Sequence, residues 1–225
     1  LRETGKRDNT LILCSSDNGT SAPTSKMSQL QELGHFPSGD LRGSKADIWD
    51  GGHRVPFLVS WPLVVSPATQ SANLVCLTDV MATVADIIAR ELPDDAAEDS
   101  YSFLPTLRGQ SEHSRHDVIH HSITGYFALR QDNWKLCLCP DSGGWSAPRP
   151  SAKGWAGIKR QGLPLVQLYD MTQDIGEQSN QAQTQAGRVA AMRTLLQEQV
   201  ENGRSTPGLP QANETVVTIE KHPER

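Results

Sequence analysis

The sequence predicts an α/β fold: a mixed, mostly parallel sheet domain over residues 1–110, a small antiparallel-sheet-and-helix subdomain over 111–200, and a polar tail over 201–225. Three observations carry this expectation. Apolar runs at Thr10–Cys14 and Arg54–Trp61 are rich in strand formers and read as strands buried on both faces. A helical apolar pattern follows the second run, as in an α/β order. After an acidic, then polar, stretch from Pro93 to Arg115, the chain changes to short strand-like segments separated by turn residues.

Each element has a local reason. Thr10-Leu11-Ile12-Leu13-Cys14 is an uninterrupted strand that stops at Ser16-Asp17-Asn18-Gly19. Residues 20–40 are rich in Ser, Pro and Gly and predict a long surface loop. The second strand contains Val55, Phe57, Leu58, Val59 and Trp61 and is stopped by Pro62. Thr78 is a plausible N-cap for a helix with Val80, Val84, Ile87 and Ile88 on one face, and Pro93 follows its end. Val118–His121, Tyr126–Arg130 and Trp134–Cys139 read as short strands, the last two joined through Gln131-Asp132-Asn133. Residues 140–164 hold many prolines, glycines and tryptophans and predict an insertion loop before a short strand at Val166–Tyr169. Val189, Met192, Leu196 and Val200 have helical spacing, and the segment from Glu201 predicts a poorly packed polar tail.

Bulk properties exclude several classes. A formal charge of -5 argues against non-specific nucleic-acid binding, which needs a basic surface. No apolar run reaches membrane-spanning length. Four cysteines are too few for a disulfide scaffold. Cys137 and Cys139 are expected as buried thiols; a zinc site would need His120-His121 as its second pair.

Two clusters carry candidate chemistry. Asp17-Asn18 offers a carboxylate and an amide oxygen at a strand end, a partial shell for calcium or magnesium, and Gly19 lets the backbone turn so that both converge. The same Asn-Gly dipeptide suits a tight hairpin turn, so both readings stand on the local pattern. Lys45 is a point cation on a flexible stem, suited to a tetrahedral oxyanion, though a loop lysine is usually only solvated. Arg42 can assist it, or pair with Asp40 or Asp47. Gly51-Gly52-His53-Arg54-Val55-Pro56 reads as a structural corner, with Asp50 or Asp47 holding Arg54 and His53 as a hydrogen-bonded packing residue. His35 in the long loop and the group His116, His120 and His121 are weaker candidates.

Taken together, Asp8–Leu13 leading to Ser16-Asp17-Asn18-Gly19, then Leu41-Arg42-Gly43-Ser44-Lys45, then Trp49–Pro56, resemble a type I sulfatase of the arylsulfatase-like kind. The resemblance continues through Ser60-Trp61-Pro62, the helix from Thr78, Leu104–Gly109, Ala128–Leu136, and Leu168-Tyr169-Asp170 with Asp174, Glu177 and Asn180. It covers most of residues 8–200 in order. It implies the alkaline-phosphatase-like fold and hydrolysis of a small-molecule or glycan sulfate ester. In that family a formylglycine, hydrated to a diol, attacks sulfur while a divalent cation, usually calcium, acts as Lewis acid. By position, Asp17 and Asn18 match two metal ligands and Lys45 matches the lysine that grips the sulfate.

The departures from the pattern are specific. The Cys/Ser-x-Pro-x-Arg motif that yields formylglycine is expected upstream: Ser21-Ala22-Pro23-Thr24-Ser25 lacks the arginine, and Ser146-Ala147-Pro148-Arg149-Pro150 has it one place early. Asp94-Asp95 follows a helix and does not match the family's early Asp-Asp ligands. Ser44 replaces a usual glycine. The resemblance therefore implies the C-terminal portion of a sulfatase, with no nucleophile among these residues, inactive alone, and periplasmic or secreted as family members mostly are. A phosphatase or phosphonate hydrolase on the same scaffold, and a non-catalytic carbohydrate-binding remnant using Trp145 and Trp155, are the alternatives.

Overall fold

The computed structural model describes residues 1–110, 115–149 and 162–221. They form two antiparallel sheets with short and long helices, in two compact units made of alternating stretches of chain. The first unit comprises Leu1–Ser16, Pro56–Val118 and Glu198–Val216; the second comprises Asp17–Val55, Ile119–Gln197 and Val217–Arg225.

In the first unit, β1 (Ile12–Ser15) and β2 (Phe57–Ser60) pair antiparallel, with Ile12 opposite Ser60 and Ser15 opposite Phe57. The expectation of strands buried on both faces is not met: three of the four β1 residues are exposed, and so is Leu58. Apolar content records a preference for burial. Burial itself needs layers on both faces, and among the described residues these strands pair only with each other.

The helix expected from Thr78 is α4 (Asp79–Ile87), but its buried face is not the apolar one. Asp79, Thr83 and Ala85 point inward, while Val84 and Ile88 are exposed along with Leu77 and Met81. Polar bonding sets this orientation. The Asp79 carboxylate accepts Arg115 Nη2 at 2.6 Å, the Cys76 amide at 2.8 Å and the Tyr101 amide at 2.9 Å. Thr83 Oγ1 accepts the Phe103 amide at 3.0 Å. Thr78 makes no side-chain cap; Ser100 Oγ instead accepts the Ala82 amide and donates to the Thr78 carbonyl. After α4, α5 (Leu104–Leu107) follows Phe103, whose ring meets Phe57 edge-on. Most described residues after Glu201 are exposed, but Arg204 is buried and donates to Asp94 Oδ1 and to the Asp94 and Leu209 carbonyls.

In the second unit, α1 (Ala22–Ser25) and α2 (Met27–Glu32) occupy part of the expected surface loop. They bury no residue, which suits their polar composition. One turn of helix, α3 (Asp50–His53), follows the tight segment at 43–49. The strands β3 (Asp117–His121), β4 (Phe127–Gln131), β5 (Trp134–Cys137) and β6 (Gln167–Asp170) lie in sheet order β3-β4-β5-β6. Gln131 opposes Trp134 across the two-residue turn, where Asp132 takes a left-handed conformation, and Trp134 opposes Asp170. The last helix, α6 (Ala186–Asn202), buries Met192 and Leu196 at the expected spacing.

Ile48, Trp49, Ala128, Cys137, Cys139, Tyr169 and Met171 form this unit's core. Gln167 satisfies its polar edges: its Oε1 accepts Trp49 Nε1 and the Tyr169 hydroxyl, and its Nε2 donates to the Cys139 carbonyl. Burial pushes the Cys137 thiol up to about 12, so it behaves as a small apolar group. No described helix is long and apolar enough to cross a membrane.

Candidate functional site

Asp17 and Asn18 lie just beyond the last residue of β1; Asp17 is exposed and Asn18 half-buried. Gly19 then approaches the corner at α3 closely. Its amide donates to the Gly52 carbonyl at 2.9 Å, and a Cβ there would overlap the Gly51 carbonyl oxygen. One residue on, the Thr20 carbonyl accepts the Lys45 amide at 2.9 Å. The segment bearing Asp17 and Asn18 is thereby bonded to the segment bearing Lys45. Lys45 is half-buried.

Gly51 closes the assembly from below. Its amide donates to the Arg42 carbonyl at 2.7 Å, and a Cβ would overlap the carbonyl oxygens of Arg42 and Gly43. Gly43 itself has a φ of 81°, which a side chain would strain. Three backbone segments thus meet with no room for side chains, and the glycines are required by contact.

The buried face of the corner is ionic. Lys135 Nζ, fully buried on β5, lies 2.6 Å from Asp50 Oδ1 and 2.8 Å from Glu177 Oε1. Glu177 Oε2 also accepts the Asp50 amide at the start of α3 at 2.7 Å. Burial opposes the Lys135 charge, but the carboxylates of Asp50 and Glu177 more than offset it and raise its pKa. Burial works against Asp50 as well, and there Lys135 prevails, with help from Arg130 and Arg54, so its pKa is lowered. For Glu177 burial prevails and the pKa rises.

Several expected partners are different. Arg54 is exposed, and no hydrogen bond joins it to Asp47 or Asp50 among the described residues. Arg42 does not pair with Asp40 or Asp47. It donates to the Glu177 carbonyl at 2.6 Å, and its guanidinium sits 3.6 Å from the Trp49 ring centroid. Asp47 accepts the Ser44 amide at 2.8 Å and the Trp145 amide at 2.7 Å.

His53 and His120 are packing residues. His53 Nε2 meets the Asp47 carbonyl at 2.7 Å and its ring lies 4.3 Å from that of His120. Burial, with Lys135 nearby, brings the His53 pKa down to about 4, and the same causes hold His120 well below its ordinary value. His35 is exposed.

The donor set at Asp17 and Asn18 is all oxygen and fits a hard cation as part of a shell. Among the described residues no group of three or more His, Cys, Asp or Glu side chains could hold a metal. Asp50 in the corner and Glu177 in the C-terminal signature stand out separately in the sequence, but their convergence on Lys135 does not. The available signal was a lysine placed between Trp134 and Leu136 in a short strand, a position where an unpaired charge is costly. Trp155 lies outside the described residues.

Residues 1–89 match the family profile described as Sulfatase. An N-acetylgalactosamine-6-O-sulfatase of Bacteroides thetaiotaomicron is 32% identical over 192 residues, which are 84% of this chain and 36% of that protein. A steryl-sulfatase of Mus musculus is 34% identical over 189 residues, 79% of this chain and 30% of that protein. A solved structure from work on glycosaminoglycan metabolism by Bacteroides thetaiotaomicron superposes with a TM-score of 0.72 and 29% identity, covering 88% of this chain and 40% of that one. The chain spans about a third of the length of these curated relatives.

Proposed function

Because the chain belongs to the sulfatase family and carries part of its alkaline-phosphatase-like fold, we propose that it supplies the oxyanion grip and part of the cation site of a sulfuric-ester hydrolase. The observation that carries this reading is the Lys45–Thr20 backbone bond, which sets the candidate sulfate-gripping loop against the candidate ligand loop. Lys45 holds the sulfate oxygens of the ester through its ammonium group. Asp17 and Asn18 hold a divalent cation, calcium or magnesium, through oxygen donors. When bound, that cation supplies Lewis-acid stabilisation of charge on the sulfate oxygens. The nucleophile, a formylglycine in the family pattern, comes from residues other than these.

The division of labour follows from the chemistry of the residues. Sulfate carries its charge on oxygens arranged tetrahedrally, so a mobile three-donor cation fits it without a planar fork. The exposed Asp17 and half-buried Asn18 leave room for the further oxygen ligands that a six- to eight-coordinate ion requires. The glycine corner keeps these loops from drifting apart, and positioning of this kind is worth most when charge develops during reaction. A sulfated sugar is the first substrate to test, since one relative is an N-acetylgalactosamine-6-O-sulfatase.

The test is calorimetric titration of the chain with sulfate, with calcium present and after chelation, in wild type and Lys45→Ala. Binding that weakens both on chelation and in the variant is expected. Sulfate binding indifferent to Lys45 would remove the assignment. A parallel assay with an aryl sulfate is expected to show no turnover by this chain; robust calcium-dependent turnover would place a nucleophile within it.

A further inference from the structure

We propose that Trp145 is a specificity-determining platform, on which the sugar ring of a sulfated glycan stacks while Lys45 holds its sulfate. This rests on the reading of Lys45 just given. Residues 142–146 wrap the segment 44–48 along its length. The Ile48 amide donates to the Ser142 carbonyl at 2.7 Å, and a Cβ on Gly144 would strike the Ala46 carbonyl oxygen and Asp47 Oδ1.

The Asp47 carboxylate joins the two segments. Asp47 is fully buried, and its Oδ1 accepts the amides of Trp145 at 2.7 Å and Ser146 at 3.0 Å. Its Oδ2 accepts the Ser44 amide at 2.8 Å and the Ser146 hydroxyl at 2.5 Å. One carboxylate therefore holds both the residue preceding Lys45 and Trp145 itself. Charge-assisted bonds to backbone amides fix position well, because no rotamer freedom remains in the donors.

Against this rigid background the indole is left open. Asp141, Ser142, Gly143 and Gly144 are buried, and Trp145 is 41% exposed, whereas Trp49 in the core is 1% exposed. A large ring whose backbone is already immobilised binds with no further backbone ordering, leaving only the small cost of fixing two side-chain torsions. It presents an apolar face with a polar edge, the combination that suits a pyranose, whose carbon-hydrogen face is apolar and whose rim is hydroxylated. A cation for the sulfate and an aromatic face for the ring, secured through one carboxylate, match a sulfated sugar better than a free anion.

The test uses the whole chain with calcium present and three probes: N-acetylgalactosamine 6-sulfate, N-acetylgalactosamine and inorganic sulfate. Affinities come from calorimetry, and saturation-transfer NMR reads contact with the sugar ring protons. Trp145→Ala is expected to weaken the sulfated sugar at least tenfold and leave inorganic sulfate unchanged, with Trp145→Phe restoring most of the loss. Lys45→Ala is expected to weaken both anions. Unchanged sulfated-sugar affinity in Trp145→Ala, with sulfate still dependent on Lys45, overturns the platform and leaves the proposed function standing. Sulfate affinity unchanged in Lys45→Ala overturns the proposed function and, with it, the platform, which needs Lys45 on the sulfate. A wild-type chain that binds no probe overturns both. Near-ultraviolet circular dichroism confirms that each variant is folded.

Discussion

Replacing Lys135 with Met tests whether the buried ionic cluster secures the glycine corner. The ammonium has no exposure and sits between two carboxylates, at 2.6 Å from Asp50 and 2.8 Å from Glu177. Methionine fills much of the same volume, so the change removes charge more than it opens a cavity. It leaves two buried carboxylates beside each other, with Arg130 at 4.0 Å from Asp50 as a weak remaining counter-charge. Breaking a buried pair by removing one partner costs about 3–5 kcal/mol. At about 2–4 °C per kcal/mol for a chain of this size, the melting temperature falls by roughly 6–20 °C. Urea unfolding at pH 7, followed by indole fluorescence, reads the loss, since Trp49, Trp134 and Trp145 belong to the same unit as the cluster. The combined variant Lys135→Met, Asp50→Asn, Glu177→Gln is expected to recover a large part of it, because neutral side chains no longer need the counter-charge. A loss under about 1 kcal/mol in the single variant, or no recovery in the combined one, refutes the electrostatic account.

Other outcomes follow from the same geometry. His53 and His120 are held neutral in the folded state while the unfolded chain protonates near pH 6.5, so their contribution is present above that pH and is lost as pH falls toward about 4. His53 alone removes about 2 kcal/mol between pH 7.5 and pH 5, and His53→Gln should flatten that slope in urea titrations; identical slopes would contradict the assignment. Gly51→Ala forces a Cβ onto two carbonyl oxygens and is expected to cost about 2–3 kcal/mol and to weaken sulfate binding, read by urea unfolding and calorimetry. In the first unit, Asp79→Asn leaves Arg115 buried without its counter-charge. Amide exchange in α4 should accelerate to match a loss of about 3–5 kcal/mol, and unchanged protection would show that the pair is not what orients the helix.

Much of the candidate site was legible in the sequence because its signals are local. Asp17-Asn18-Gly19 names its donor types and its turn in three adjacent residues, and Gly51-Gly52 announces a place without room for side chains. The strands β3 to β6 and the buried stripe of α6 were legible for the same reason, since alternation and helical spacing are properties of neighbours. The buried face of α4 was not. Its apolar residues have helical spacing, yet Asp79, Thr83 and the distant Arg115 turn it the other way. The exposure of β1 was hidden too, because an apolar run does not say what lies above and below it.

By itself the sequence determined the candidate residues, oxygen-bearing Asp17 and Asn18, the cationic Lys45 and the Gly51-Gly52 corner, and the order in which they come. Only the tertiary structure decided what holds them. The bond from Lys135 to Asp50 spans 85 residues and that from Asp50 to Glu177 spans 127, while Asp47 reaches 98 residues to Trp145. No local pattern encodes such pairings. A buried charge must find its partner wherever folding brings one, and the cost of leaving it unpaired is what selects the arrangement.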